Sequence, residues 1–151
     1  MRAASGPTEI AGVLVDSNIL LDIATSDPAW SAWSAEALAN VAERYPLVIN
    51  PIVYAEVSIG YENIETLDEA LPAGLYRREL LPWEAAFLAG KCFLRYRRRG
   101  GERRSPLPDF YIGAHAAIRG LALLTRDAGR YRTYFPRVPL ITPENRPRTP
   151  S

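Results

Sequence analysis

Residues Val13-Leu14-Val15-Asp16-Ser17-Asn18 combine a short apolar run with an acidic end. Three apolar residues in a row, two of them β-branched, are typical of a strand buried on both faces in a parallel sheet. The run ends at Asp16, and a helix-like segment at 19–24 follows at once. Sites in open parallel sheets form at the carboxyl ends of the strands, so Asp16 lies where a site is expected. For a single aspartate, the simpler interpretation is a helix N-cap.

The remainder of the chain alternates between strand-like and helix-like segments. Further short strands are predicted at 47–49, 75–81, 121–125 and 138–141. Helices are predicted from 28 to 44, at 51–61, at 64–71, from 82 into the arginine run at 95–99, and at 110–119. Prolines directly after a capping residue, at Asp27-Pro28 and Asn50-Pro51, mark two of the helix starts. This alternation predicts an α/β fold with a parallel sheet and right-handed crossovers.

The composition is that of a soluble globular domain. The chain has 151 residues, 48% of them hydrophobic and 23% charged, which provides enough apolar material for one core. The net charge of +1 produces no overall field that attracts nucleic acid. Cys92 is the only cysteine, and the sequence shows neither a signal peptide nor an apolar run long enough to cross a membrane. We therefore expect a cytoplasmic protein with one domain at 13–143, a flexible arm at 1–12 and a disordered tail at 144–151.

Four acidic residues follow predicted strands or lie near the starts of predicted helices. Asp16 ends the first strand, and Asp127 follows the strand at 121–125. Asp109 opens a helix after a proline-rich loop, and Glu56 lies about a turn and a half into the helix after the second strand. Each acid taken alone is explained by helix capping, by the helix dipole or by a solvated helix face.

Taken together, the four acids indicate a cation site. Their positions face one edge of a parallel sheet, where several carboxylates repel one another unless they are protonated or bind a cation. Oxygen ligands favour a hard divalent ion such as Mg²⁺ or Mn²⁺. The chain lacks the cysteine and histidine sets of zinc sites and the glycine-rich loops that bind phosphate. We expect His115, the only histidine, to pack in the interior, and a lone Cys92 disfavours a nucleophilic triad.

Four segments carry a resemblance to a known family. They are Asp16-Ser17-Asn18, the segment 51–57 with Glu56, the segment 108–116 with Asp109, and Thr125-Arg126-Asp127. Together they resemble a PIN-domain ribonuclease, and in particular the VapC toxins of bacterial toxin–antitoxin pairs. The resemblance covers about 13–143 and implies a three-layer α/β/α sandwich around a central parallel sheet. It also implies an endoribonuclease that depends on Mg²⁺ or Mn²⁺, a VapB-type antitoxin partner and a homodimer.

The resemblance assigns roles to the acids and to two neighbouring polar residues. The expected catalytic and metal-binding residues are Asp16, Glu56, Asp109 and Asp127, the last as a direct ligand or through a bound water. Asn18 and Thr125 are expected to orient a carboxylate, a water or the phosphate. A metal held by these acids lowers the pKa of its bound water and polarises the phosphoryl oxygens. By resemblance, cleavage leaves a 5′-phosphate and a 3′-hydroxyl.

A basic run lies directly before Asp109 in the sequence. Because an acidic pocket repels RNA, positive charge is needed beside it, and arginine suits phosphate recognition. The predicted RNA-binding residues are Arg97, Arg98, Arg99, Arg103 and Arg104. The alternative is a solvated helix end that the macrodipole stabilises.

Two other functions remain as alternatives. One is a different Mg²⁺-dependent phosphoryl-transfer enzyme, such as a phosphatase with Asp16 as nucleophile. Families of that kind resemble Asp-x-Asp at the first strand end, and Asn18 at the third position disfavours this assignment. The other is a non-catalytic PIN-like module that binds RNA or protein. The complete set of acids disfavours it, since an unused cluster of like charges costs stability.

Overall fold

The computed structural model describes residues 9–101 and 107–143. A five-stranded parallel sheet has the order β3-β2-β1-β4-β5, so the first strand lies in the middle. The strands are β1 (Val13–Val15), β2 (Leu47–Ile49), β3 (Tyr76–Arg78), β4 (Ala122–Leu124) and β5 (Leu140–Ile141). Each of them falls within a predicted strand. The predicted α/β fold with a central parallel sheet is confirmed.

Helices connect the strands and flank the sheet. They are α1 (Ser17–Ala24), α2 (Ser31–Ala42), α3 (Pro51–Ser58), α4 (Ile64–Ala70), α5 (Trp83–Arg98), α6 (Pro108–Arg119) and α7 (Gly129–Tyr134). The start signal of α3 acts as expected, because Asn50 Oδ1 accepts a 2.9 Å hydrogen bond from the Val53 backbone N–H. The end of α6 also follows its signal, with Gly120 in the left-handed region at φ 68°.

The second helix begins later than predicted. Asp27 Oδ1 accepts hydrogen bonds from the backbone N–H groups of Ala29 and Trp30, at 2.8 and 2.9 Å. The capping pattern at Asp27-Pro28 therefore closes a turn, and α2 starts only at Ser31. An aspartate side chain accepts the same backbone N–H groups in a β-turn as in the first turn of a helix. The sequence pattern therefore does not distinguish a turn from a helix start.

The core lies on both faces of the sheet. All residues of β1, β2 and β4 are buried, as the uninterrupted apolar runs predict. Helix α6 contributes several buried side chains, and Phe135 packs directly on its backbone at Gly113. A Cβ atom at Gly113 would clash with the Phe135 ring. The glycine is therefore required for this close approach.

Helix α5 buries its small residues. Ala85, Ala89 and Cys92 are buried, and the helix packs mainly on α6. The large apolar side chains at the start of the helix face solvent, with Trp83 89% and Phe87 69% exposed. Small side chains permit the closer approach of two helices, so the larger ones remain outside.

The two predicted terminal segments lie mostly outside the described residues. Of the arm predicted at 1–12, the structure describes only residues 9–12, where the Ala11 backbone N–H donates to the Gly120 carbonyl at 3.0 Å. The tail predicted at 144–151 and the residues at 102–106 are outside the described part of the chain. In the described part, no helix combines the length and apolar character that crossing a membrane requires.

Replacing Gly113 with alanine tests the packing of Phe135. The added methyl group overpacks a buried contact, and we expect unfolding free energy to fall by about 1–3 kcal/mol and Tm by about 5 °C. The matched control is Gly90→Ala in α5, where an added Cβ meets nothing within 4 Å. The control should be neutral or stabilising, because alanine favours a helix interior over glycine. Equal Tm values for the two variants in thermal melts would contradict the assigned packing.

Candidate active site

Asp16 lies buried at the carboxyl end of the central strand. Its Oδ1 accepts the Ser17 backbone N–H at 2.8 Å, which caps α1. Its Oδ2 accepts hydrogen bonds from Thr125 Oγ1 at 2.9 Å and from the Tyr131 hydroxyl at 3.0 Å. The simple capping role is therefore real, and it uses only one of the two carboxylate oxygens. The other oxygen gathers donors from the end of β4 and from α7.

Glu56 reaches the same region from α3. Ser17 Oγ donates a 2.8 Å hydrogen bond to Glu56 Oε1, while the Ser17 backbone N–H donates to Asp16 Oδ1. Ser17 therefore helps to position both acids. Asp109 approaches from the first turn of α6. Its Oδ2 accepts a 3.1 Å hydrogen bond from Arg130 Nη1, and its Oδ1 lies 3.4 Å from the Tyr131 hydroxyl.

The charge of Asp109 acts on the other two acids. The pKa of Asp16 is raised to about 6: burial is the largest cause and the charge of Asp109 adds to it, whereas the hydrogen bonds from Thr125 and Tyr131 oppose the increase. Burial also raises the pKa of Glu56, again with a contribution from Asp109. The arrangement thus concentrates negative charge in a largely buried place, which favours binding of either a proton or a cation.

Asp127 lies on the solvent-exposed side of the three acids. Its side chain is exposed, and its backbone N–H donates to Thr125 Oγ1 at 3.1 Å. Asn18 connects the same strand ends, because its Nδ2 lies 3.3 Å from Thr125 Oγ1 and its Oδ1 accepts the Arg126 backbone N–H at 3.4 Å. The structure therefore brings the supporting residues Asn18 and Thr125 together with Asp16.

Two residues of α7 were missed by sequence reasoning. Tyr131 is buried, and burial together with the nearby carboxylates raises its pKa well above the usual value, so its hydroxyl remains a donor to Asp16. Arg130 pairs with Asp109, with 35% and 33% of the two side chains exposed. The available signal was their position shortly after a strand end, where sites of such sheets form. A six-residue helix gives too little periodicity to show which residues point inward.

An ion pair between the part-exposed Arg126 and the buried Asp22 holds the loop that carries Thr125 and Asp127. Arg126 Nε and Nη2 contact the two oxygens of Asp22 at 2.7 and 3.1 Å. Asp22 is 3% exposed and also accepts a 2.8 Å hydrogen bond from Ser34 Oγ. This two-bond geometry fixes the guanidinium group and with it the chain between β4 and α7.

His115 is buried away from the acids, as its expected packing role requires. Its Nδ1 is 2.9 Å from Asn50 Nδ2, and its Nε2 is 3.0 Å from Glu79 Oε1. Burial lowers the pKa of His115. A neutral ring with its proton on Nε2 satisfies both contacts, with Asn50 as donor and Glu79 as acceptor.

The predicted RNA-binding arginines separate into different places. Arg97 and Arg98 lie exposed in the last turn of α5, and Arg99 follows at its C-cap. The Arg99 guanidinium stacks over the Tyr134 ring at 5.8 Å, and that of Arg97 over Phe93 at 6.0 Å. The remaining two, Arg103 and Arg104, lie outside the described residues.

Carboxylate oxygens are the ligands that a hard divalent cation prefers. In this structure, however, they already accept hydrogen bonds from other groups of the protein. Within 9–101 and 107–143, no group of three or more His, Cys, Asp or Glu side chains is arranged as a ready ligand set. The reason is visible in the contacts, because Arg130 holds Asp109 while hydroxyl groups hold Asp16 Oδ2. Carboxylate oxygens with raised pKa values nevertheless suit Mg²⁺ or Mn²⁺, and such an ion would provide the counter-charge that a proton and the Arg130 guanidinium provide without it.

The chain belongs to the PIN domain family, whose model matches residues 13–136. This confirms the predicted family, and the matched range covers strands β1 to β4 and all seven helices of the described residues, ending before β5. A search of curated proteins by sequence finds no match.

Solved structures show the same fold at low sequence identity. A chain of VapBC2 from Rickettsia felis, crystallised with a promoter DNA fragment, is 18% identical with a TM-score of 0.65, covering 86% of this chain and 97% of that one. VapBC-1 from nontypeable Haemophilus influenzae is 19% identical with a TM-score of 0.65, covering 86% and 96%. FitAcB from Neisseria gonorrhoeae is 20% identical with a TM-score of 0.61, covering 87% and 98%. These similarities establish the fold.

The buried Asp16 predicts a pH-dependent stability of the chelator-treated protein. Its pKa of about 6 exceeds the usual 3.8, so the folded state holds the proton more tightly than the unfolded state. As pH rises from about 4 to about 6, the unfolding free energy should fall by about 3 kcal/mol through this group and then level off. In Asp16→Asn this contribution should be absent. Denaturant unfolding of both proteins at each pH measures the unfolding free energy. Identical profiles for the two proteins would contradict the assignment.

Proposed function

We propose that this protein is a VapC-type toxin, an endoribonuclease that depends on Mg²⁺ or Mn²⁺ and is inhibited by a VapB-type antitoxin in the cytoplasm. The observation that carries the proposal is the convergence of Asp16, Glu56 and Asp109 at the carboxyl edge of the sheet, where burial and the charge of Asp109 raise the pKa values of the first two. Membership of the PIN domain family and the VapBC fold relatives support it.

The metal would be held by Asp16, Glu56 and Asp109, with Asp127 completing the shell directly or through water. When bound, such an ion supplies an activated water and charge relief at the phosphoryl oxygens. Asp16 is already oriented for this task, since Ser17, Thr125 and Tyr131 fix both of its oxygens. The chain therefore loses little conformational freedom when the ligands are assembled.

Glu56 is the residue that we assign as proton acceptor. It is half-buried, burial raises its pKa, and only its Oε1 is engaged by Ser17 among the described contacts. A carboxylate with a raised pKa accepts a proton from water more readily than a fully solvated one. Ser17 thus acts as a positioning residue that aims Glu56 at the attacking water.

The site disfavours the phosphatase alternative. A nucleophilic aspartate needs one accessible oxygen, and Asp16 is 4% exposed with hydrogen bonds to both oxygens. Attack by Asp16 on phosphorus would require the loss of the Thr125 and Tyr131 contacts. A metal ion needs only one remaining lone pair of an Asp16 oxygen, so metal binding and attack by water leave these hydrogen bonds in place.

RNA cleavage by the purified protein tests the proposed activity. Cleavage should require Mg²⁺ or Mn²⁺, disappear with EDTA and return when the ion is added in excess. Asp16→Asn should reduce the rate at least about 100-fold, because it removes a charge from the ligand set. The control Glu65→Gln removes an exposed charge from α4 and should cleave normally. Cleavage that survives EDTA would contradict the metal mechanism, and intact RNA under all conditions would contradict the nuclease.

The exposed face of α5 supports the proposed homodimer. Trp83 and Phe87 lie there, and Leu80, which precedes the helix by three residues, is 82% exposed. Exposed apolar side chains grouped on one helix face mark an interaction surface rather than ordinary surface. Two-fold symmetry allows the same face of a second copy to cover it, since such an interface is self-complementary.

The solution mass tests this interface. The wild type should be a dimer by light scattering, and Trp83→Ser combined with Phe87→Ser should shift it to monomer while circular dichroism shows that the variant is folded; its Tm should fall by the part that association contributes. The control Ile118→Ser changes an apolar residue of α6 that is 40% exposed and should leave the mass unchanged. A dimeric double variant would place the interface elsewhere, and a monomeric wild type would remove the homodimer from the proposal.

A further inference from the structure

A cleft of about 490 Å³ lies between the end of α5 and α7, beside the acidic site. Its lining includes Tyr96, Arg99, Gly100, Gly101, Arg130 and Tyr134. The floor is aromatic, because Tyr96, Phe110 and Tyr134 pack edge to face with ring centroids 5.3 to 6.4 Å apart. This aromatic packing makes the floor rigid.

Three guanidinium groups lie over the rings of this floor. Arg95 lies over Tyr134 at 5.5 Å without lining the cleft, and the other two, Arg99 and Arg130, line it. The Arg130 guanidinium stacks over Tyr96 at 5.6 Å, and the Arg99 guanidinium over Tyr134 at 5.8 Å. Stacking fixes the plane of a guanidinium while leaving its N–H edge available to an anion. The cleft therefore presents two oriented donors of the kind that binds phosphate oxygens.

Arg130 belongs to the cleft and to the acidic site at once. Its Nη1 donates to Asp109 Oδ2 at 3.1 Å, and in the described residues Asp109 is its ion-pair partner. Both side chains keep about a third of their surface exposed, so the pair can exchange partners at low cost. By contrast, Arg97 and Arg98 line a separate groove on the outer side of α5 with Phe87 and Lys91.

We propose that this cleft is a phosphate subsite for the RNA strand and that Arg130 is shared between it and Asp109. The inference rests on the proposed nuclease function. Without a divalent cation, Arg130 neutralises Asp109; when a cation takes that carboxylate, Arg130 is released to pair with an RNA phosphate. Cation and phosphate then bind cooperatively, and each must raise the affinity of the other by the same factor.

Titrations of chelator-treated protein with Mn²⁺, with and without a single-stranded DNA decamer, test the coupling. The decamer carries the same phosphate backbone as RNA, and electrophoresis after each titration verifies that it is intact. For the wild type, Mn²⁺ should lower the decamer Kd, and the decamer should lower the Mn²⁺ Kd by the same factor.

Arg130→Gln should move the two affinities in opposite directions. The Mn²⁺ Kd measured without decamer should fall about fivefold, the factor that a part-exposed ion pair supports, because the competing cation is gone. The decamer Kd measured with Mn²⁺ should rise. The slope of log Kd against log salt concentration should decrease by the amount that corresponds to about one phosphate contact. Arg99→Gln should weaken decamer binding and leave the Mn²⁺ affinity unchanged. Circular dichroism verifies that each variant is folded.

The control is Arg137→Gln, which removes one exposed arginine outside the cleft. It should change neither affinity. Wild-type decamer affinity in Arg130→Gln would overturn the phosphate subsite, and unchanged coupling would overturn the sharing of Arg130. If the wild type shows the coupling and cleaves no RNA, the subsite stands and the nuclease proposal fails. If it cleaves RNA while Arg130→Gln binds normally, the nuclease stands and the subsite fails.

Discussion

The site depends on the burial of one carboxylate, that of Asp16 at the end of the central strand. Since water is largely excluded, its charge is stabilised by donors from Ser17, Thr125 and Tyr131. These donors belong to the start of α1, the end of β4 and α7, so satisfying one acid fixes three segments relative to each other. The same burial raises the pKa of Asp16 and prepares the region to accept positive charge.

Two arginines near this acid form ion pairs of different character. Arg126 pairs with Asp22, which is almost fully buried, through two hydrogen bonds, and breaking such a pair leaves an uncompensated charge in the interior. Arg130 pairs with Asp109 where both side chains are partly exposed, and water can replace either partner. The first pair therefore serves as a fixed part of the framework, whereas the second is available for exchange. Burial, rather than distance, separates the two roles.

The features that the sequence predicted correctly depend on residues that are close together along the chain. Apolar runs identified the strands, and the rule for strand ends identified Asp16. What depends on packing could not be predicted. The apolar residues of α5 do not by themselves show which face of the helix is buried, and in the structure Ala85 and Ala89 are buried while Trp83 is exposed. Tyr131 was missed for a related reason. Its contact with Asp16 depends on how the six-residue helix α7 packs beside the sheet, which a helix that short does not reveal through its periodicity.

The order of the strands also has a consequence for synthesis of the protein. The contacts from Thr125 and Tyr131 to Asp16 join residues 109 and 115 positions apart. The central strand is translated first, and the partners that complete its acidic end follow only after β2, β3 and the helices between them. A nascent chain that stops before β4 has Asp16 without these donors, and β1 lacks one of its two neighbours. Long-range closure of this kind is slow, so the acid group is assembled only after β4 and α7 have joined β1.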